Sequence, residues 1–141
     1  MQSEKKIMPT IVKDDIDRWV QYGFSLSTKS MVFPTEVDED GLETVLKTLH
    51  LLDGAKPELP ITIYMNNYGG DTQCGLGMYD AIQSCISEVH IKVFGACFSM
   101  GAWILQAADK RLLSKHSRMM IHVGEMGIES THPEIVRAWV K

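Results

Sequence analysis

Cysteine is scarce in this chain and unclustered. The 141 residues include three, Cys74, Cys85 and Cys97, with no Cys-x-x-Cys pair. An odd set of this kind argues against a disulfide framework or a zinc ribbon and suits a reducing compartment. The five histidines contain no His-Glu-x-x-His spacing, so no metal site is expected. No stretch approaches the roughly 18–20 consecutive apolar residues of a membrane span. The opening Met1-Gln2-Ser3-Glu4-Lys5-Lys6 lacks the apolar run of a secretory signal. A basic excess is missing too: 14 Lys+Arg against 18 Asp+Glu leave a net charge of −4, which argues against a general nucleic-acid binder. Repeats and low-complexity tracts are also absent. The expectation is a soluble, intracellular protein with no nucleic-acid or membrane partner and no cofactor.

What is present is an ordinary globular mixture, 45% hydrophobic and 23% charged. That length suits one domain, which at this size buries roughly two-thirds of the surface its unfolded chain exposes. The expected organisation is a single domain over residues 1–141, with a polar N-terminal arm over about the first thirteen residues that orders against a partner.

Periodicity divides the rest. Ser30 to Val37 reads as a short strand ended by Pro34. A helix follows, with Asp40 and Glu43 spaced as a capping box and Leu42, Val45, Leu46, Leu49 and Leu52 repeating at three and four. Gly54 sits where a helix C-terminal glycine belongs, and Lys56 to Pro60 is a turn. Ile61 to Met65 is a strand. A helix is expected from about Thr72 to Ser87, burying Met78, Tyr79, Ile82, Cys85 and Ile86. His90 to Phe94 is the next strand, Gly95 to Phe98 a tight loop, and a third helix starts at Ser99 or Met100. Arg111–Leu113 and Arg118–His122 are two more strands. Near the end, Thr131, Pro133 and Glu134 mark another helix start, and that helix is cut short at Lys141. Strands alternating with helices predict an α/β fold with a mostly parallel sheet.

Functional loops of such folds lie at the carboxyl ends of strands. Three are suggestive here. Gly69-Gly70 follows a strand and precedes a helix, so its backbone N–H groups can face a cleft without side chains in the way. They suit an oxyanion, a phosphate or a plain tight turn, although no Gly-Lys-Ser/Thr follows and Gly70, Gly75 and Gly77 do not fit a dinucleotide spacing. Ser99 stands at the strand-to-helix turn in a frame resembling a nucleophile elbow, with Cys97 replacing the first glycine of Gly-x-Ser-x-Gly. Serine is equally a preferred helix N-cap. His122 closes Arg118-Met119-Met120-Ile121-His122 and can reach Ser99 from an adjacent strand, or be structural. The basic cluster Lys110, Arg111, Lys115, His116 and Arg118 reads as a solvated turn. Together, a serine, a histidine to take its proton, and a glycine pair to hold the oxyanion, with the Met100 amide as a second donor, are the parts of acyl-transfer catalysis.

The blocks Ile63-Tyr64-Met65-Asn66-Asn67-Tyr68-Gly69-Gly70, Gly77-Met78-Tyr79-Asp80-Ala81-Ile82-Gln83, Phe98-Ser99-Met100-Gly101-Ala102 and Ser117-Arg118-Met119-Met120-Ile121-His122 resemble, in order and spacing, the proteolytic subunit of Clp protease. The resemblance runs from about Ser30 to Lys141. It implies that family's crotonase-like fold of repeated βαβ units. It also implies a serine endopeptidase acting on unfolded polypeptides supplied by an AAA+ ATPase, self-associated into stacked heptameric rings in the cytoplasm or an organelle. The resemblance puts the nucleophile on Ser99, the base on His122 and the oxyanion-hole amides on Gly70 and Met100, with Gly69 in the supporting loop.

Two departures mark a divergent member. Asn66-Asn67-Tyr68 stands where the family has Asn-Ser-Pro, and Val123-Gly124 where it has Gln-Pro. The third triad member, an aspartate beyond the last helix, has no counterpart, and none of Glu125, Glu129 and Glu134 occupies its position. The chain is then either a fragment of a longer protein or a shortened form of weak or no activity, and a non-catalytic ring subunit is the alternative reading. An acyl-CoA hydratase or isomerase of the wider fold is a further one, but it needs glutamates in the cleft.

Overall fold

Strict alternation at Ile61, Ile63 and Met65 puts every second side chain on one face of a strand, and that face becomes the centre of the core. The computed structural model of the protein describes residues 13–124. The arm before Lys13, the helix expected from Thr131, and Glu125, Glu129 and Glu134 lie outside the described residues.

In chain order the elements are α1 (Lys13–Tyr22), β1 (Phe24–Ser25), β2 (Ser30–Val32), α2 (Glu39–Asp53), β3 (Ile61–Asn67), α3 (Thr72–Gln83), β4 (Val89–Phe98), α4 (Met100–Ile104) with a 3-10 turn at Leu105–Ala107, β5 (Lys110–Leu113) and β6 (Arg118–Met120). They form a six-stranded sheet of order β1-β2-β3-β4-β5, with β6 also pairing β4. Only β1 and β2 pair antiparallel; every other pair is parallel. The expected α/β architecture is present.

Ile61, Ile63, Met65, Val89, Ile91 and Val93 from the two central strands are buried against Val45, Leu49 and Leu52 of α2, Met78 and Ile82 of α3, and Ile104 of α4. On the opposite face Tyr64 meets Trp19 of α1 edge-on at 5.9 Å. That helix was not expected from periodicity, because its pattern is inverted. Asp15 is buried at 2% exposure while Ile16 and Val20 are exposed. Asp15 accepts hydrogen bonds from the Ser25 and Ser27 hydroxyls and the Leu26 amide, which satisfies a carboxylate that would otherwise be costly to bury.

Several expected boundaries move. The cap of α2 is Asp38, which accepts from the Gly41 amide at 2.7 Å, not Asp40. Gly54 does end α2, but in a right-handed conformation open to any residue. α3 ends at Gln83, so Ile86 is off the helix and 96% exposed, while Cys85 is half-buried behind it. β2 is only three residues long, yet Phe33 continues alongside β3 by donating to the Tyr64 carbonyl.

At the amino ends of β3 and β4 a fully buried lysine ties three turns together. Lys29 Nζ donates to the Lys56 carbonyl at 3.0 Å and to Ser87 Oγ at 2.7 Å. Lys29→Met leaves the buried Ser87 hydroxyl without its donor and takes one of two donors from the Lys56 carbonyl, which still accepts from the Leu59 amide, and we expect a loss of about 1.5–3 kcal/mol in urea unfolding. A change under about 1 kcal/mol would contradict this role.

Nearby, Asp53 accepts from the amides of Ile86 and Ser87. Burial alone would raise its pKa, but these bonds and Lys29 outweigh it and hold the carboxyl below its ordinary 3.8. The stability Asp53 contributes is therefore present above that ordinary value and is lost as pH falls through the lower folded value. Asp53→Asn should flatten the acid limb of a stability–pH curve, and an unchanged limb would contradict the assignment.

Candidate functional site

The end of β4 was expected to be a tight loop, but the strand continues through it by bulging. Met65 pairs with Val93 and Asn67 with Cys97, so β4 takes four residues where β3 takes two. Gly95 at the bulge has φ +86°, and Asn66 Oδ1 holds it by accepting from the Ala96 amide at 2.8 Å. The re-aimed strand then pairs with β6 through Ala96, Cys97 and Phe98.

The next residue is Ser99, whose amide donates to the Met120 carbonyl at 2.8 Å. Its backbone sits at φ +51°, ψ −120°, a region costing a non-glycine residue about 1–3 kcal/mol. Ser99 does not behave as a helix cap. An N-cap has extended backbone and a side chain bonded to the first-turn amides, whereas Ser99 has neither. Its Oγ lies instead 2.8 Å from Nε2 of His122, 23 residues further along the chain.

Gly69 faces the same point. Gly69 has φ +90°, and a Cβ there would stand 2.7 Å from Ser99 Cβ and 3.2 Å from the Met100 amide nitrogen. Gly70 has φ +146° and forms a parallel bridge with Val37. The Val37 amide donates to the Gly69 carbonyl at 2.9 Å, and its carbonyl accepts from the Asp71 amide at 2.7 Å. In a parallel bridge the residue between those two contacts turns its own N–H and C=O to the other side. The Gly70 amide is therefore not used by Val37. The Met100 amide is the first of α4 and has no intrahelical acceptor. With only five residues in α4, its individual N–H groups matter more than any helix dipole.

A cleft of about 330 Å3 opens beside the pair, lined by Thr72, Leu76, Met100, Trp103 and Ile121 as well as Ser99 and His122. Its lining is mainly apolar and includes no carboxylate. Tyr68 stands exposed next to Ser99's strand, its ring edge-on to Phe98 at 5.9 Å. A larger groove of 520 Å3 between α2 and α3, lined in part by Leu46, His50, Asp53 and Cys85, contains no comparable nucleophile and base.

Cys97, two residues from Ser99, is inert by the same packing that holds the strand. Burial pushes its thiol up to about 11. Among the described residues no carboxylate pairs with His122, and no group of three or more His, Cys, Asp or Glu is placed to hold a metal ion. Sequence reasoning did not single out Asn66 and Asn67 as site residues. For Asn67 the signal was chemical, since asparagine ahead of a glycine pair readily bonds its own backbone two residues on; Asn66, which accepts from Ala96 30 residues away, carried no local signal.

A parallel α/β sheet that sets a serine on a strained strand-to-helix turn, a histidine at hydrogen-bond distance and a glycine turn against the first helical amide has the constellation of an acyl-transfer hydrolase. The family model for Clp protease matches residues 14–139. The ATP-dependent Clp protease proteolytic subunit of Deinococcus radiodurans is 32% identical over 81% of this chain and 57% of its own length. Proteolytic subunit 3 of Synechococcus is 36% identical over 76% of this chain and 55% of its own. A ClpP1 variant from Listeria monocytogenes superposes with a TM-score of 0.65 at 30% identity, covering 69% of this chain and 57% of that one. The chain belongs to the Clp protease family and spans somewhat over half the length of the curated relatives it matches.

Proposed function

We propose that this chain is a serine endopeptidase subunit of a Clp-type protease, with Ser99 as nucleophile and His122 as general base. The observation that carries this reading is the 2.8 Å contact between Ser99 Oγ and His122 Nε2, made by a serine whose strained backbone removes it from helix capping. Ser99 Oγ attacks the peptide carbonyl while His122 Nε2 takes its proton. The carbonyl oxygen becomes an oxyanion that accepts from the Gly70 and Met100 amides, an interaction whose donors are typically worth about 3–4 kcal/mol each in the transition state. His122 returns the proton to the leaving amine, and water attacks the acyl-serine by the same route in reverse. The apolar lining at Leu76, Met100, Trp103 and Ile121 favours an apolar side chain next to the scissile bond.

Relatives named as ATP-dependent proteolytic subunits support two further parts of the reading: an AAA+ ATPase supplies unfolded polypeptide, and subunits assemble into stacked heptameric rings. An acyl-CoA hydratase or isomerase is disfavoured, because the cleft lining offers no carboxylate. One observation favours a second reading, a catalytically weak ring subunit: no described carboxylate orients His122. Loss of that partner costs about 10⁴ in turnover in a serine protease.

The test sets an unstructured fluorogenic peptide with leucine at the cleavage position against one with glutamate there, alongside an acyl-CoA and a native-mass measurement. The leucine peptide should be cleaved preferentially. Turnover of acyl-CoA alone would overturn the peptidase reading, and an assembled ring that cleaves neither peptide would favour the second.

A further inference from the structure

One buried side chain touches the chain neighbours of both amides of the proposed oxyanion hole, Gly69 beside Gly70 and Gly101 beside Met100. Asn67, the last residue of β3, is 0% exposed. Its Oδ1 accepts from the Gly69 amide at 2.8 Å, and its Nδ2 donates to the Pro34 carbonyl at 2.8 Å. These partners fix the orientation of the amide group, since an N–H needs the oxygen and a carbonyl needs the nitrogen. The same Oδ1 abuts α4: a Cβ added to Gly101 would stand 2.6 Å from it. One amide group thus holds the turn that presents Gly70 and supports the first turn of the helix that presents Met100. Gly69, bonded to it, is in turn pressed against Ser99 and the Met100 amide.

From this geometry we infer that Asn67 is a positioning residue for transition-state stabilisation, setting the separation of the Gly70 and Met100 amides without touching substrate. Pro34 anchors the side chain to the segment after β2, so the hole is referenced to the rigid sheet and not to the mobility of a glycine turn. Alanine at this position removes the Gly69 acceptor and takes its donor from the part-buried Pro34 carbonyl. Serine keeps a short acceptor that reaches an amide two residues on but cannot also span to Pro34.

The inference rests on the peptidase reading, and its test separates the two. Full-length chain is titrated with a peptidyl boronic acid, whose tetrahedral adduct on Ser99 puts an oxygen in the hole, and with the matching peptide amide, which fills the cleft without an adduct. Asn67→Ala should weaken the boronate by about a hundredfold, the scale of a displacement near 1 Å in a catalytic group. The peptide amide should change less than about threefold, because ground-state binding does not use the hole. Asn67→Ser should fall between wild type and alanine, and it carries the test if the alanine variant does not fold. A purely structural role would lower the melting temperature and weaken both ligands equally, which overturns the inference. Wild-type boronate affinity in Asn67→Ala overturns it as well. Absence of any boronate adduct on wild-type chain overturns the peptidase reading, and the inference with it.

Discussion

Replacing His122 with alanine should lower the rate of Ser99 acylation, by peptide or by a serine-directed phosphonate, by about 10⁴–10⁶. The range is that seen when nucleophile or base is removed from a serine-protease triad. It follows from the single contact between Ser99 Oγ and His122 Nε2. A serine hydroxyl is a weak nucleophile until a base takes its proton, and no other described side chain bonds this one. Stability should be almost unchanged, because His122 is exposed beyond the end of β6. A variant that retained more than about a tenth of the wild-type rate would show that the pair is incidental. Among the described residues no carboxylate pairs with His122, which sharpens the expectation. If nothing outside the described residues orients the imidazole, the wild-type rate itself starts low and the ratio falls toward the bottom of the range.

Gly70→Ala should damage fold and site together, with an expected loss of about 3–5 kcal/mol in urea unfolding and of phosphonate reactivity in whatever remains folded. Two independent features set this. The backbone is at φ +146°, which side chains rarely adopt, and the added Cβ would stand 2.3 Å from the Val37 carbonyl oxygen. That oxygen is backbone, held by the Asp71 amide, so it cannot yield as a flexible side chain would. Gly77→Ala is the control. Its Cβ would meet only the end of the Leu42 side chain at 3.2 Å, and the helix gains up to about 1 kcal/mol in propensity. Stability within about 1 kcal/mol of wild type is expected there. Equal losses at the two positions would contradict the role given to the bridge between Gly70 and Val37.

The sequence made legible those parts of the fold in which hydrophobic period and local capping agree. Ile61, Ile63 and Met65 declared β3, and Val45, Leu49 and Leu52 declared α2, because these residues are buried as their period predicts; Leu46, of the same period, is 49% exposed. α1 was not legible, since Asp15 is buried while Ile16 and Val20 face outward, and no amphipathic rule points to a helix with a buried carboxylate. The cap at Asp38 was displaced two residues from the capping-box spacing by a bond to the Gly41 amide. Gly95 read as the start of a loop because glycine punctuates chains. Its actual role is to let β4 bulge and continue, and only the Asn66 side chain from the neighbouring strand reveals that.

At the site, Ser99, His122, Gly69 and Gly70 could be singled out by residue type at strand ends; Ser99 lies against His122 and Gly69, while Gly70 is bridged to Val37. What fixes their spacing was not legible. Asn67 acts through Pro34, 33 residues away in sequence, and through a close approach to Gly101. Such contacts exist only once β2, β3 and α4 have packed.

The most direct test of the central proposal is the intact mass of the full chain after treatment with a fluorophosphonate, beside Ser99→Ala handled identically. The expected result is one phosphonyl adduct on wild type and none on the variant. No adduct on wild type, or an adduct that persists when Ser99 is replaced, would contradict an activated serine at the turn between β4 and α4.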